Sequence, residues 1–392
     1  MTSAIPRRLR RHLRRRAIPL LATLVGLGSG IGGAQTPAPA VLQRIDALAG
    51  KEFANDSIAS LTIGVVTHQG LVWTKSYGYA EMSTRRVANR QSVYRIGSIT
   101  KMFTAVMVQQ LVGSGKMHLS DPVERYYPPI REIRGYTALV RPITVAELAT
   151  MTAGIAREPE QEGPFWTGPV SSWDSTLHLA LSHTQMDHPP GTKFLYSNIG
   201  YAILGAASAK AAGIPYIKWE QDHILAPLSM RHTTFEVEPA IASDLTVGYD
   251  ISGGVPDPAQ SVRERITGRG FKVPNGAIFT TIDDLSRFLM LQLGAAPDSI
   301  VPHARLDSAF AATVSPAGEP LTPYGIGFVV ARRGNMTVFG HDGAVAGYGA
   351  SLLFDRERRV GVIVLRNALG GRVNGGRLAV AALAALTAEG TR

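Results

Sequence analysis

Residues 96–103 read IGSITKMF and open a segment in which apolar residues recur at helical spacing from Phe103 to Leu111. The segment is therefore predicted to be a helix with one buried face. Ser98 and Lys101 lie three positions apart at its start, so their side chains are expected on the same side of the first turn. The chain has 392 residues and contains this Ser-x-x-Lys string once.

A serine and a lysine in this arrangement can carry out nucleophilic catalysis. A serine at a helix N-terminus lies beside backbone N–H groups and the positive end of the helix dipole, which favour negative charge on a substrate oxygen. The lysine can act as a base if burial or a neighbouring cation lowers its pKa from about 10.4. The structural alternative is a helix-capping Ser98 followed by a solvated Lys101.

A second string, YSN at residues 196–198, contains two more candidates. The Tyr196 phenol can relay the serine proton and later protonate the leaving group. The Asn198 amide can orient the lysine or hold a substrate amide. The alternative is a half-buried aromatic followed by Asn198 as the N-cap of a helix over residues 199–212.

A third string, HDG at residues 341–343, is followed by Ala344. Gly343 would let a substrate lie against strand backbone, and the Ala344 N–H could be a second donor to an oxyanion. His341 would place a proton donor of tunable pKa beside the tyrosine and the serine. The alternative is a strand that ends in a glycine-rich turn.

Segments of β type are concentrated at the two ends of the chain. Residues 61–79 contain two β-rich runs around a turn, which predicts a hairpin. Four β-type runs between residues 327 and 365 precede an alanine-rich helix over residues 374–389, and the signals in the middle are mostly helical. Because an isolated hairpin is marginal, we expect the two ends to share one sheet. The predicted fold class is α+β: an antiparallel sheet from N- and C-terminal strands flanked by helices, with an inserted all-helical domain and a cleft between the two.

The three strings, in the order S-x-x-K, Y-x-N and H-x-G, resemble the serine β-lactamase and penicillin-binding-protein-like family, in particular its class C β-lactamases, DD-carboxypeptidases and related esterases. The resemblance runs from about residue 44 to the C-terminus. It is also carried by LATMTAGI at 148–155, YSNIGYAIL at 196–204, APLSM at 226–230, NGAIFTTIDDLSRF at 275–288 and residues 340–348. It implies a β-lactamase/transpeptidase-like fold, which agrees with the organisation inferred above.

Carried over residue by residue, the resemblance implies a role for each candidate. Ser98 is the acylated nucleophile, Lys101 its partner base and Tyr196 the proton relay. The backbone N–H groups of Ser98 and Ala344 form the oxyanion hole. The residues that bind or orient the substrate are Asn198, His341, Asp342 and Gly343. The implied reaction is two-step acyl transfer, and it requires no metal and no organic cofactor.

The third string departs from the Lys-Thr/Ser-Gly that is usual in β-lactamases of this family. A histidine in first position occurs among the DD-peptidase and esterase-like members. A hydroxyl residue in the middle commonly helps to hold a substrate carboxylate, whereas Asp342 would repel one if it faced the site. This departure favours esters or amides that lack the carboxylate. In the opposite orientation, Asp342 would point away and pair with an arginine.

The N-terminus carries most of the formal net charge of +10. Seven arginines lie between Arg7 and Arg16, an apolar stretch follows over residues 17–31, and small residues precede Gln35. This is the layout of a secretory signal peptide. Without residues 1–34 the chain keeps 33 basic and 30 acidic residues, a net charge of +3. An uncleaved membrane anchor and a basic nucleic-acid-binding arm are the alternatives.

These features predict the domain organisation and the location of the protein. The predicted segments are a signal peptide over 1–34, a flexible leader over 35–43 and a hydrolase domain over 44–392, with a sheet part at about 44–120 and 270–392 and a helical part at about 121–269. We expect a periplasmic or extracellular protein with no nucleic-acid partner. Contact with a membrane is expected only during export or through an uncleaved N-terminal segment.

The chain contains no cysteine, which excludes disulfides, thiolate-bound metals and a cysteine nucleophile. His178, His183 and His188 are spaced by five residues and do not share a helix face, so no metal site is expected. The sequence predicts an exported serine hydrolase that cleaves an ester, a peptide or a β-lactam-like amide. One alternative is a DD-carboxypeptidase or β-lactamase proper, acting on peptidoglycan peptides or β-lactams. The other is a catalytically silent binding or regulatory protein on the same fold.

Overall fold

The computed structural model describes residues 36–315 and 319–388. The predicted signal peptide over 1–34 lies outside the described residues. The strands are β1 Ser60–Thr67, β2 Gly70–Glu81, β3 Arg86–Val87, β4 Tyr94–Arg95, β5 Tyr249–Asp250, β6 Phe279–Thr280, β7 Val329–Arg333, β8 Met336–Val345, β9 Tyr348–Asp355, β10 Val360–Arg366 and β11 Ala368–Leu369. The helices are α1 Pro39–Phe53, α2 Thr100–Gly113, α3 Val145–Ala149, α4 Trp173–Leu181, α5 Asn198–Ala212, α6 Tyr216–Glu220, α7 Pro239–Ala242, α8 Ala259–Thr267, α9 Val273–Gly276, α10 Ile282–Gln292, α11 His303–Ala311 and α12 Gly375–Thr387.

One seven-stranded sheet joins the two ends of the chain. Its order is β3-β2-β1-β10-β9-β8-β7, and all neighbouring strands are antiparallel. The central contact pairs β1 from the N-terminal part with β10 from the C-terminal part, and Leu61 lies opposite Arg366. The predicted α+β class, with an antiparallel sheet built from both ends and flanked by helices, is confirmed.

The two faces of the sheet pack against different helices. Alternating residues of β1 and β10, such as Ile63 and Val362, pack with Ile45 of α1 and Leu383 of α12. The other face packs against α10 and the larger cluster that includes α2 and α5. This cluster connects the sheet to the helical middle of the chain.

Helix α1 corrects the expected leader over 35–43, because the helix begins at Pro39. A proline in the first turn loses no helical hydrogen bond, and its fixed φ suits a helix start. Val41, Ile45 and Ala49 then bury one face of α1. The composition QTPAPA suggested an extended segment, but this tertiary packing extends the helix into it.

Helix α2 is buried on nearly all sides, which also differs from the single buried face that its spacing predicted. All residues from Thr100 to Gln109 are buried, including Lys101. The helix packs against α5, α6, α9 and α11. A helix enclosed in this way gives a rigid support for the residues at its N-terminus.

Within the described ranges, no helix is both long and apolar enough to cross a membrane.

A buried ion pair lies at the end of β10. Arg366 and Asp56 are each 5% exposed and lie 2.9 Å apart. Asp56 also accepts hydrogen bonds from the backbone N–H groups of Ile58 and Arg372. Burial raises the pKa of Asp56, but the hydrogen bond and charge of Arg366, together with these backbone N–H groups, outweigh it and hold the pKa below its usual range.

We expect Asp56→Asn to lower the free energy of unfolding by about 3 kcal/mol, because it leaves the Arg366 guanidinium buried without a counter-charge. Urea denaturation measures this loss. The matched control is Asp222→Asn, which breaks an exposed pair with Lys218 and should cost less than about 0.5 kcal/mol. Equal losses for the two variants would contradict the assignment of Asp56 to the core.

Candidate active site

Ser98 lies in the short 3-10 turn Gly97–Ile99 that leads into α2. Gly97 has a φ of 49°, in the left-handed region that favours glycine. A Cβ at Gly97 would lie 2.8 Å from the backbone nitrogen of Ala344. The turn thus requires glycine for two reasons, and it brings Ser98 against the edge of β8. Ser98 is not the N-cap of α2, which begins at Thr100.

The Lys101 side chain is fully buried and ends on three oxygens. Its Nζ lies 3.1 Å from Ser98 Oγ, 2.7 Å from Asn198 Oδ1 and 2.9 Å from the Asn275 carbonyl oxygen. The sequence brought the first two partners forward as candidates, and the structure adds the third. A buried amine on these partners excludes the alternative of a solvated lysine.

The charge state of Lys101 follows from its surroundings. Burial is the largest cause that holds its pKa well below the usual value, and the cations of Lys272 and Arg269 act in the same direction, whereas Glu158 opposes them. A neutral amine has two N–H donors, which match the Asn198 and Asn275 oxygens. Its lone pair is then directed at the Ser98 hydroxyl, the arrangement that a general base needs.

The Tyr196 phenol completes the group around the nucleophile. Burial raises its pKa to about 12, and the neighbouring Ser98 hydroxyl opposes this shift. Its ring centroid lies 5.0 Å from Lys101 Nζ. Tyr196 is therefore a protonated donor at neutral pH, placed where it can pass a proton to the leaving group of a substrate bound at Ser98.

Ser197, and not Asn198, caps the N-terminus of α5. The Ser197 Oγ accepts a hydrogen bond from Gly200 N at 2.9 Å. The Asn198 side chain is thus free to accept from Lys101 through Oδ1 and to donate through Nδ2 to Glu158 Oε1 at 2.5 Å. The capping alternative for Asn198 is wrong.

His341 lies beside Tyr196 as a neutral ring. Burial is the main cause that lowers its pKa to about 3. Nδ1 donates to the Asp342 carbonyl oxygen at 2.5 Å, and Nε2 lies 3.0 Å from the Tyr324 hydroxyl. Both ring nitrogens are thereby engaged. His341 orients the wall of the site, and it does not titrate near neutral pH as the sequence had suggested.

The Asp342 carboxylate lies on the opposite face of β8 from His341. Successive side chains of a strand alternate between faces, and Val338, with the same parity as Asp342, belongs to the cluster with α12. Asp342 Oδ1 accepts a hydrogen bond from Ser351 Oγ at 2.6 Å. The side chain points away, but its partner is a serine on β9 and not the expected arginine. The expected repulsion of a substrate carboxylate is therefore absent from this geometry.

Gly343 and Ala344 shape the edge of β8 next to Ser98. A Cβ at Gly343 would lie 1.9 Å from Ile96 O and 3.3 Å from Ser98 N. This glycine makes room for the turn that carries Ser98, and not only for a substrate. In the register of the β8–β9 hairpin, Ala344 lies opposite Gly349, one position beyond the pair that closes its two-residue turn. Hydrogen-bonded and non-hydrogen-bonded pairs alternate along an antiparallel ladder, so Ala344 and Gly349 form a non-hydrogen-bonded pair. The Ala344 N–H therefore points away from β9, to the side of β8 that β7 leaves unpaired beyond Gly340. An oxyanion donor needs this orientation.

These residues line a cavity of about 430 Å³. Its further charged lining residues are Arg157, Glu158, Arg269 and Lys272. Arg269 pairs with Glu264, and Lys272 pairs with Glu158. The exposed Arg157 lies with its guanidinium carbon 4.8 Å from the Tyr196 ring centroid, and among the described residues it has no ion-pair partner. Arg157 is thus the one cation of the cavity lining without an acidic partner among the described residues.

A larger cavity of about 580 Å³ lies elsewhere, beside the N-terminus of α10. Its main charges neutralise one another, since Arg90 pairs with Asp283 and Arg287 pairs with Asp284. Its lining contains no serine–lysine pair. The smaller cavity at Ser98 is therefore the candidate active site.

Several residues that contribute to the site were not identified from the sequence. They are Arg157, Glu158, Lys272, Asn275 and Tyr324. NGAIFTT was noted only for its resemblance, and no spacing indicated that the Asn275 carbonyl binds Lys101. Glu158 begins a polar loop whose two aromatic side chains fold onto the protein: Phe165 is buried, and Trp166 packs edge-on against Phe271.

The three histidines at 178, 183 and 188 do not meet. His178 pairs with Glu132, His183 pairs with Glu160, and His188 lies near Thr192. Within the described residues, no three His, Asp or Glu side chains form a group that could hold a metal ion.

A serine beside a buried lysine and a tyrosine, on an antiparallel sheet flanked by helices, is an arrangement that can support acyl transfer. Comparison with known proteins agrees with this interpretation. The family model named Beta-lactamase matches residues 45–386. The chain belongs to the Beta-lactamase family.

Individual relatives are distant. The chain is 27% identical over 334 residues to Protein flp of Staphylococcus aureus strain MW2, which covers 83% of this chain and 63% of that protein. It is 25% identical over 342 residues to a beta-lactamase of Escherichia coli K12, covering 79% of this chain and 84% of the relative. The octameric penicillin-binding protein homologue from Pyrococcus abyssi superposes with a TM-score of 0.72 at 26% identity, covering 88% of this chain and 77% of that one. The chain thus spans less than two thirds of the length of Protein flp.

We expect Gly343→Ala to slow acylation of Ser98 about a hundredfold, because the added Cβ displaces the turn at Ile96 and the oxyanion donors with it. The rate of labelling by a fluorophosphonate measures this. Gly349→Ala, on the paired strand, is the control, since its Cβ meets its nearest neighbour, the Ala368 carbonyl oxygen, at 3.5 Å. A wild-type labelling rate in Gly343→Ala would contradict this role.

Proposed function

We propose that this protein is an exported serine hydrolase that cleaves an ester or amide through an acyl-enzyme on Ser98. The observation that carries the proposal is the buried Lys101 amine, 3.1 Å from Ser98 Oγ and with a strongly lowered pKa. A neutral lysine in contact with a serine hydroxyl is a base ready to accept its proton.

The proposed reaction has two steps. Ser98 Oγ attacks the substrate carbonyl carbon while its proton passes to Lys101 Nζ. The resulting oxyanion is stabilised by the N–H groups of Ser98 and Ala344. The carbon–leaving-group bond then breaks as Tyr196 donates a proton to the leaving group, and Tyr196 regains a proton from Lys101. Attack of water on the acyl carbonyl reverses these roles and releases the acid.

The charges of the cavity favour substrates with an anionic group. The Asp342 carboxylate is turned toward Ser351, and the Arg157 guanidinium stands at the site without an acidic partner among the described residues. This favours the second candidate, a DD-carboxypeptidase or β-lactamase, more than the sequence did. The preference for neutral esters depended on an Asp342 side chain that faces the substrate, whereas this side chain points toward Ser351.

Export is part of the proposal and is supported by the signal-peptide layout of residues 1–34. The proposed partners are small-molecule ester, peptide or β-lactam-like substrates, without nucleic acid. A silent binding protein is disfavoured because the Ser98, Lys101 and Tyr196 side chains are in mutual contact. Such contacts have no purpose in a protein that only binds.

Intact-mass spectrometry tests the proposal. Incubation with a p-nitrophenyl ester, a penicillin or a D-Ala-terminated peptide should add one acyl group, and peptide mapping should place it on Ser98. Ser98→Ala should form no adduct and lose turnover by at least about a thousandfold. Ser175→Ala, an exposed serine on α4, is the matched control. Full turnover by Ser98→Ala, or no reaction of Ser98 with any fluorophosphonate, would contradict the proposal.

A second measurement tests the charge preference. At a pH on the plateau of the profile, Arg157→Gln should reduce kcat/KM for an ester with a free carboxylate about tenfold more than for a neutral ester of equal length, since it removes a charge-assisted hydrogen bond that only the anionic ester can accept. Arg125→Gln, an exposed arginine that pairs with Asp121, is the control. An equal loss for both esters would show that Arg157 does not recognise the anion.

A further inference from the structure

The hydrogen bonds around Ser98 continue beyond Lys101 into an ion pair. Lys101 Nζ donates to Asn198 Oδ1, and Asn198 Nδ2 donates to Glu158 Oε1. The same Glu158 oxygen accepts from Lys272 Nζ at 3.2 Å. The Glu158 and Lys272 side chains are 25% and 15% exposed. Nucleophile, lysine, amide and ion pair thus form one continuous chain of hydrogen bonds.

Packing fixes the far end of this chain. The Lys272 ammonium lies 4.3 Å from the centroid of the Trp166 ring, a cation–π contact. Trp166 packs edge-on against Phe271 and donates its indole N–H to the Glu160 carbonyl oxygen at 2.9 Å. The Lys272 ammonium is therefore held by two contacts, one with the Trp166 ring and one with the Glu158 carboxylate.

The ion pair determines which way the Asn198 amide faces. An asparagine amide has an oxygen that only accepts and a nitrogen that only donates. The ionised Glu158 carboxylate also only accepts, so it attracts the Asn198 nitrogen and leaves the oxygen toward Lys101. Without Glu158, rotation of the amide would place N–H groups against the Lys101 N–H groups, and the lysine would lose one acceptor.

We propose that the Glu158–Lys272 pair is a positioning element for acyl transfer at Ser98, which holds the Asn198 oxygen on Lys101 and balances the charge beside the amine. The inference rests on the proposed function, because it assigns these residues to the support of the same base. Neither Glu158 nor Lys272 is assigned a bond to the reacting atoms.

The charges that act on Lys101 come from several elements around it. Glu158 raises its pKa, and Lys272, Arg269 and Arg157 lower it. His341 is neutral, and the rings of Tyr196 and Tyr201 that face the amine have raised pKa values and stay protonated. The net effect of the surrounding charges is thus a balance between one carboxylate and three cations.

This balance predicts opposite pH shifts for the two partners. Lys101 must be a free amine to accept the serine proton, so kcat/KM rises as the pH passes upward through its pKa. Glu158→Gln removes the charge that raises this pKa, and the acidic limb should move to lower pH by roughly one unit. Lys272→Met removes a lowering charge and leaves Glu158 unpaired, so the limb should move to higher pH by a similar amount.

Glu158→Ala separates orientation from charge. Glutamine at 158 still offers an oxygen to Asn198 Nδ2, whereas alanine offers none. Glu158→Ala should therefore lower kcat at the pH optimum by about tenfold more than Glu158→Gln, with a smaller change in KM. Glu160→Gln is the control, because it removes a carboxylate of the same loop that pairs with Arg134 and His183 instead. The pH profile of its kcat/KM should match that of the wild type.

The pH profile of kcat/KM and the pH dependence of fluorophosphonate labelling at Ser98 are the measurements, with thermal unfolding of each variant in parallel. Opposite shifts for Glu158→Gln and Lys272→Met support the inference. Profiles of both that superimpose on the wild type, while Ser98 is acylated normally, overturn it and leave the proposed function intact. If wild-type Ser98 reacts with no acyl donor, the proposed function itself fails. If Glu158→Ala unfolds, the two isosteric variants decide the matter.

Discussion

The burial of one amine is the constraint on which the rest of this structure depends. Lys101 lies inside the protein on a helix enclosed on nearly all sides, and its Nζ ends on Ser98, Asn198 and Asn275. A buried lysine is destabilising as a cation, so burial favours its neutral form, which has the lone pair that a base needs. The glycine turn at Ser98 and the N-cap of α5 each contribute one side of this enclosure.

The charges around the amine are arranged in layers. The closest groups to Lys101 are uncharged oxygens, whereas Glu158 and the cations Lys272, Arg269 and Arg157 stand farther out. Three of these four charges are paired with a neighbour, and Arg157 faces the cavity. The paired charges shift the pKa of the Lys101 amine, and the unpaired Arg157 is available to a ligand. The same cavity can thus serve both the chemistry and the choice of substrate.

Much of the fold could be predicted from the sequence because its signals are local. The hairpin at residues 61–79, the four C-terminal strands and the final helix follow from period-two and helical patterns. The start of α1 at Pro39 and the full burial of α2 could not be predicted in this way, because both depend on what packs against these helices.

The sequence by itself determined the reactive groups: a serine with a lysine one turn away, a tyrosine, and a histidine–glycine strand in a fixed order, without any thiol. Only the tertiary structure decided how these groups are used. It turned Asp342 away from the site, placed the Asn198 oxygen on Lys101 and put the ion pair of Glu158 and Lys272 behind it. Strand register fixes the first outcome, and the other two depend on contacts between residues 97 and 114 positions apart, which no local pattern in the chain encodes.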